Sequence, residues 1–295
     1  METIPYDKRS GKIWFNGELV DWKNAKVHLL NHGLHYASCV FEGERVYDGE
    51  IFKLEEHTDR LFYSAKRMGI VMPYNKKDIN SACQEIITVE KIKNGYVRPV
   101  VWRGSEMMAI SAQKNKIHVA IASWEWGSYF DPKLKLKGIT LKTSSWRRPP
   151  PNSVPWDTKA AGLYMICTLS KHDAESKGYT DALMLDHEGN VAEATGANIF
   201  FKDKAGSLHT PTPDSFLDGI TRRCVIGIAK SKGIKVVERK IKPEEMSSFV
   251  GCFLTGTAAE ITPVSQIDKF NFKVCDVIKS LSESYQNLVR KKAAA

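Results

Sequence analysis

The apolar positions of the first half recur in short runs separated by turn residues, which reads as strands with one or two helices among them. In VYDGEIF, 46–52, Asp-Gly stands between two short apolar runs, the strongest short-range hairpin signal. In EEHTDRLFYSAKRMG the period lengthens. Leu54, Leu61, Ala65 and Met68 fall near one stripe and Gly69 ends it, which predicts a helix. NKKDINSACQEIITVEKI predicts a second amphipathic helix. GYVRPVVWRG and KIHVAIASWEW return to strands, the latter alternating around Ile117, Val119 and Ile121.

GSYFDPKLKLK, 127–137, is polar, holds a proline and lacks periodicity, so it predicts an interdomain loop. It separates a small N-terminal α/β domain, 1–126, from a larger C-terminal domain, 138–295. The second domain opens on strand GITLKTSSW, and AAGLYMICTLSKHDAESKG predicts a helix closed by Gly178. TDALMLD, VAEATGANIFF and SLHTPT form a β-rich patch, and ITRRCVIGIAKSKG is a helix with Gly233 at its C-terminal cap. IKVVERKI and GCFLTGT predict strands, and KVCDVIKSLSESYQNLVRKK a closing helix. The fold class is α+β: two domains, each a mixed sheet with flanking helices.

The 295 residues, 42% hydrophobic, suffice for one large or two moderate cores. No apolar run is long enough to span a bilayer, and the N-terminus lacks the apolar stretch of a signal peptide, so a soluble, cytoplasmic protein with no membrane partner is expected. The six cysteines form no C-x-x-C pair, which predicts reduced thiols and no metal site. The net charge of +9 raises nucleic-acid binding, but its distribution argues against that. Acidic residues interleave with the lysines, and KLKLK, WRRPPP and VRKK share no helix or repeat that would track a backbone. A cleft for anionic small molecules accounts for part of the charge equally well.

Four stretches carry candidate chemistry. In WDTKAAGLYM, 156–165, Lys159 stands ahead of two alanines and a glycine, which would let a planar ligand approach the backbone. An amine among apolar groups becomes nucleophilic, although most lysines before a helix are simply solvated. In EATGANIF, Glu193 sits at the edge of a tight turn, where a carboxylate can hold a protonated ring nitrogen or merely end a strand. In SFLDGITRR, Ile220 and Thr221 open a helix whose unpaired N–H groups suit a phosphate, unless Asp218 caps it. In FLTGTAAEITPV, a strand runs into a small-residue turn that exposes amides and one hydroxyl to an anion.

Together these stretches resemble the class IV aminotransferases. The run Glu193, Thr195, Asn198, Ile199, Phe200, Leu208, Thr210, Leu217, Gly219, Ile220, Arg222 matches their signature in type and spacing. The resemblance to fold-type IV pyridoxal-phosphate enzymes extends from about Ile13 to Val264, and IWFNGE, LHY, VFEGER, EEHTDRL, YVRP, SSWRR, TKAAGLY and GTAAEITPV resemble blocks of the branched-chain amino-acid aminotransferases. That resemblance implies pyridoxal 5′-phosphate carried by Lys159, in the C-terminal domain. It implies Tyr164 on the cofactor's phenolic oxygen, Glu193 on its ring nitrogen and Leu217 against the ring. Arg60, Ile220, Thr221 and Thr257 would hold the phosphate. Phe41, Tyr164, Trp126 and Tyr129 would line the substrate pocket, with Tyr36, Met108 and Ile110 reaching in from the partner of a homodimer or larger homo-oligomer. The amides of Thr257 and Ala258 would take the α-carboxylate, and Tyr96 and Arg98 the distal carboxylate of glutamate. The implied reaction transfers the amino group of leucine, isoleucine or valine to 2-oxoglutarate.

Two places depart from the family pattern. Glu44 in FEGER stands where relatives usually carry an apolar residue, and WRGSEMMAIS has lost glycines. Siblings of the same fold give the alternatives. D-amino-acid aminotransferases usually carry Arg-x-His where this chain has Tyr96-Val97-Arg98, and aminodeoxychorismate lyases are usually shorter and match GTAAEITPV less well. A binding protein without catalysis is the remaining reading.

Overall fold

The computed structural model describes residues 4–131, 133 and 137–291. Parts of the expected interdomain loop and of KLKLK, and the terminal alanines, lie outside the described residues. The chain divides into two compact units, Met1–Gly127 with Thr158–Gly162, and Ser128–Asp157 with Leu163–Ala295.

The first unit is built on strands β1 (Lys12–Phe15), β2 (Glu18–Asp21), β3 (Cys39–Phe41), β4 (Glu44–Tyr47), β5 (Glu50–Ile51), β6 (Gly95–Arg103) and β7 (Ile117–Glu125). They lie in the order β2-β1-β7-β6-β4-β5, with β3 also on β6, and every pairing is antiparallel. The Asp-Gly hairpin forms between β4 and β5, with Asp48 at φ 51° and Gly49 at φ 87°. Three helices belong to this unit: α1 (His32–Tyr36), α2 (Leu54–Arg67) and α3 (Lys76–Val89). Asn75 and Asp78 bond reciprocally at the start of α3, satisfying two of the orphan groups there. The helix α3 buries Ile79, Ala82, Cys83, Ile86 and Ile87. The helix α2 buries Leu61 and Ala65, but also His57 and Ser64. Polar groups on a buried stripe need partners, and theirs are described below.

The second unit contains β8 (Ile139–Arg147), α4 (Met165–Ser176), β9 (Asp181–Leu185), β10 (Val191–Ala194), β11 (Asn198–Lys202), β12 (Leu208–Thr210), α5 (Ile220–Ser231), β13 (Val236–Glu238), β14 (Gly251–Gly256), β15 (Glu260–Ile267), β16 (Phe270–Asn271) and α6 (Asp276–Val289). The sheet order is β10-β9-β8-β15-β14-β11-β12-β13, with β16 on β15. Strand β8 runs parallel to β9 and β15, and β12 to β13, so this sheet is the mixed one. Its core includes Leu183, Ile199, Phe201, Leu254 and Val264, all fully buried.

Two local differences from the sequence reading have physical causes. The helix expected from Ala160 begins at Met165, because Ala160 bridges to Val40 and Ala161–Tyr164 make one tighter 3₁₀ turn. In VAEATGANIFF the expected tight turn forms between β10 and β11, where Ala194 N–H bonds back to Ala197 C=O at 2.8 Å. The strand β15, which the sequence reading left out, contains Pro263. That proline precedes the residues that pair with β8, so its missing N–H falls outside that ladder.

Candidate active site

Lys159 belongs to the first unit rather than with the body of the C-terminal domain, and two backbone bonds explain why. Its N–H donates to Ser64 Oγ at 3.0 Å, and its C=O accepts from Phe41 N–H at 3.1 Å. Ser64 is the buried hydroxyl of α2, so the polar residue on the helix stripe serves to hold the lysine backbone. Lys159 Nζ lies 4.8 Å from the centroid of the Phe41 ring, and the Arg98 guanidinium lies 4.6 Å from the same ring. Burial lowers the Lys159 amine below its ordinary value. Glu42 opposes this, while Arg60 and Arg98 add to it. A larger fraction of uncharged amine at neutral pH follows.

The second polar residue of the α2 stripe, His57, is bound into a charged cluster. Glu42, fully buried, accepts from Arg60 Nε at 2.6 Å and Nη2 at 2.9 Å, and from His57 Nδ1 at 2.7 Å. Burial would raise the Glu42 carboxyl, but Arg60 and His57 outweigh it and hold the group well below the usual carboxylate range. Burial keeps His57 below its ordinary value despite Glu42. A carboxylate can only accept, so Nδ1 carries the His57 proton. The result fixes the plane of Arg60, whose fork has five donors, more than one carboxylate can use.

Tyr96 and Arg98 project from β6, and Arg98 Nη2 donates to Tyr96 Oη at 3.4 Å. Tyr96 packs edge-on against Trp126, with centroids 4.7 Å apart. A Cβ on Gly43 would lie 1.7 Å from Tyr96 Oη, so only glycine admits this ring position. Tyr36, Met108 and Ile110 are drawn to one surface by His32. Its Nε2 donates to Ala109 C=O at 2.9 Å, and its ring packs at a tilt on Tyr36, with centroids 4.6 Å apart.

In the second unit, Glu193 on β10 is buried beside Arg148, whose Nε lies 3.5 Å from Glu193 Oε1. Arg148 is anchored through Nη1 to Leu163 C=O at 3.4 Å. Asn198 joins the parts. Its Nδ2 donates to Leu217 C=O at 2.9 Å and to Glu193 Oε2 at 3.3 Å, and its Oδ1 accepts from Gly219 N–H at 3.1 Å. Gly219, not Asp218, is the N-cap of α5, and no side chain caps the helix there. Asp218 pairs instead with Arg222 at 2.9 Å. The first-turn amides at Ile220 and Thr221 are therefore available to an anion. Thr257 and Ala258 lie in the β14–β15 turn, beside Thr255, whose buried hydroxyl has no partner among the described residues. Tyr164 ends the 3₁₀ turn before α4, and Tyr129 packs on Phe130 at 4.7 Å.

Residues 39–267 match the profile of the amino-transferase class IV family. The chain belongs to the class IV aminotransferases. Among these aminotransferases, a "Probable branched-chain-amino-acid aminotransferase" of Rickettsia conorii is 43% identical over 98% of this chain and 100% of its own length. A "Branched-chain-amino-acid aminotransferase" of Pseudomonas aeruginosa is 40% identical over 97% of this chain and 95% of its own. The crystal structure of the T.th. branched-chain amino acid aminotransferase with pyridoxamine 5′-phosphate superposes with a TM-score of 0.92 at 36% identity, covering 96% of this chain and 95% of that one. The branched-chain amino acid aminotransferase of Escherichia coli gives 0.92 at 34% identity, covering 97% of each.

Sequence reasoning missed Glu42, His57, Ser64 and Arg148 as contributors to this class IV site. Polar residues at positions 57 and 64, on the stripe of Leu61 and Ala65, are the signal that could have found two of them. Gly219 yields a direct test. A Cβ there would lie 2.3 Å from Asn198 Oδ1. Gly219→Ala is expected to break the Asn198 bond at an overpacking cost of about 1–3 kcal/mol, read from urea unfolding. It should also weaken pyridoxal phosphate in titrations, and an unchanged affinity would remove Gly219 from the site.

Proposed function

We propose that this aminotransferase uses pyridoxal 5′-phosphate to move the α-amino group of L-leucine, L-isoleucine or L-valine to 2-oxoglutarate, giving the branched-chain 2-oxo acid and L-glutamate. The observation that carries this is Lys159: fixed at its backbone, set against Phe41 and held below its ordinary basicity. The names of the relatives support the donor class, and a second structure of the T.th. enzyme, described as complexed with N-(5′-phosphopyridoxyl)-L-glutamate, supports the acceptor.

The residues fit the cofactor on three counts. Arg60 is oriented by a buried carboxylate, the first turn of α5 lacks a side-chain cap, and Glu193 is a buried carboxylate kept beside Arg148. Lys159 would hold the aldehyde carbon, Arg60, Ile220, Thr221 and Thr257 the phosphate, Tyr164 the phenolic oxygen, and Leu217 the ring face. Glu193 would keep the ring nitrogen protonated through a charge-assisted hydrogen bond. When bound, pyridoxal phosphate supplies the electron sink for the α-carbon. Lys159 Nζ, when uncharged, would take the α-proton and return it. The Thr257 and Ala258 amides bind the α-carboxylate, Phe41, Trp126 and Tyr129 meet the aliphatic chain, and Tyr96 and Arg98 accept the distal carboxylate of glutamate.

We read the enzyme as a homo-oligomer, at least a dimer. Leu34, Tyr36, Met108 and Ile110 are exposed apolar side chains of the first unit, Ile110 at 84%, and an apolar cluster of that kind marks an interaction surface. Sedimentation showing a monomer at micromolar concentration would refute this. No helix among the described residues is long and apolar enough to cross a membrane. The six thiols are free, in keeping with a reducing, cytoplasmic setting. The activity itself is tested with a panel of L- and D-amino acids and 2-oxoglutarate. Turnover of the branched L-amino acids is expected, and turnover confined to D-amino acids would replace this reading.

A further inference from the structure

Glu44 is fully buried, and neither carboxyl oxygen has a hydrogen-bond partner among the described residues. Val97 stands opposite it in β6 and Val46 shares its face of β4, both fully buried. The ionisable groups that act on it or feel it are Glu42, just before β4, Arg60 of α2 and Cys83 of α3. His57, also of α2, is bound to Glu42. Glu42 already takes two hydrogen bonds from Arg60. A second carboxylate in such a site is tolerated as the neutral acid and resisted as the anion. Burial first, and the Glu42 charge second, raise the Glu44 acid well above its ordinary value, and Arg60 only partly offsets them. What Glu44 contributes to stability is fully present below the ordinary glutamate range and is lost as pH climbs toward the raised value.

We propose that Glu44 is a pH-sensitive positioning residue for Arg60. Uncharged, it leaves the guanidinium clamped to Glu42 and oriented for a phosphate. When its O–H proton passes to solvent, a second carboxylate competes for the same guanidinium and repels the phosphate dianion. Cofactor affinity then falls. The proposal rests on the reading of Arg60 as a phosphate ligand.

The test titrates the full chain, stripped of cofactor, with pyridoxamine 5′-phosphate across the whole pH range over which its far-ultraviolet spectrum shows it folded. This probe cannot condense with Lys159, so the lysine's own titration does not enter through that bond. Wild type is expected to lose at least about fivefold in affinity across the range, the low end of ordinary coupling between two sites. Glu44→Gln and Glu44→Leu, which cannot ionise, should lose less than about twofold. Pyridoxamine without the phosphate should show no difference between wild type and either variant. A flat wild-type curve overturns the proposal without recourse to variants, and so does a variant slope equal to wild type. If one variant fails to fold, the other decides. Arg60→Ala separates the two readings. Binding unaffected by its loss removes the phosphate assignment, whereas weakened binding together with identical slopes for wild type and Glu44→Gln removes only the role of Glu44.

Discussion

Lys159→Ala is expected to lose transamination by more than about 10⁴-fold, because it removes both the amine that would hold the cofactor and the proton carrier. Proton transfer by a positioned group is worth about 10²–10⁴-fold alone, and the loss of the covalent anchor adds to it. The variant should fold, since the two hydrogen bonds that fix this segment come from the Lys159 N–H and C=O, which alanine retains. Only the cation over Phe41 and any contacts of the ammonium are lost. Single-turnover absorbance with leucine should show no conversion, while the far-ultraviolet spectrum stays that of wild type. Borohydride reduction of wild type followed by peptide mapping should find the pyridoxyl group on Lys159. A label on any other lysine, or a variant within tenfold of wild type, would end the assignment.

The surroundings of Lys159 were only partly legible in the sequence. The small residues after it are local and could be read directly. Its attachment to the first unit depends on Phe41 and Ser64, the latter 95 residues away, and no local pattern encodes that. Hairpins fared according to how local they are. Asp48-Gly49 was read from its flanking apolar runs, and Asn16-Gly17, with φ 53° and 98°, carries the same kind of signal between β1 and β2. The strand β15 was missed because Pro263 argues against a strand interior unless one knows which edge it faces. In the site, the family resemblance named the groups expected to touch the cofactor, whereas the residues that hold those groups became visible only in three dimensions. Glu42 looked like one acid among many until Arg60 and His57 closed on it. Arg148 read only as part of the basic spot WRRPPP, and the structure buries it beside Glu193.

Arg98→Ala is expected to separate the two half-reactions. Only glutamate and 2-oxoglutarate carry a distal carboxylate, so only they need a cation at that end of the substrate. A hydrogen bond to a charged group is worth about 1.5–3 kcal/mol. At ~1.36 kcal/mol per decade, its loss should lower kcat/KM for glutamate roughly 10- to 150-fold. The leucine half-reaction should change by only a few-fold. Two neighbouring arginines already have backbone partners. Arg45 donates through Nη1 to Gly127 C=O at 2.7 Å, and Arg103 is spent on Gly69 C=O at 2.6 Å and Ala112 C=O at 3.3 Å. Arg98 itself donates to Tyr96 Oη only at the long distance of 3.4 Å, and its buried Nε has no hydrogen-bond partner among the described residues. One side effect has a known sign. Arg98 helps lower the Lys159 amine, so its removal should raise the pH at which Lys159 loses its charge, by the same amount with either amino acid. Measuring both half-reactions across pH therefore distinguishes the two contributions: a common shift along the pH axis reports the lysine, and a selective loss with glutamate reports the carboxylate. Equal losses with leucine and glutamate at every pH would mean that Arg98 supports the strand instead, and the recognition of two unlike substrates would have to rest on another group.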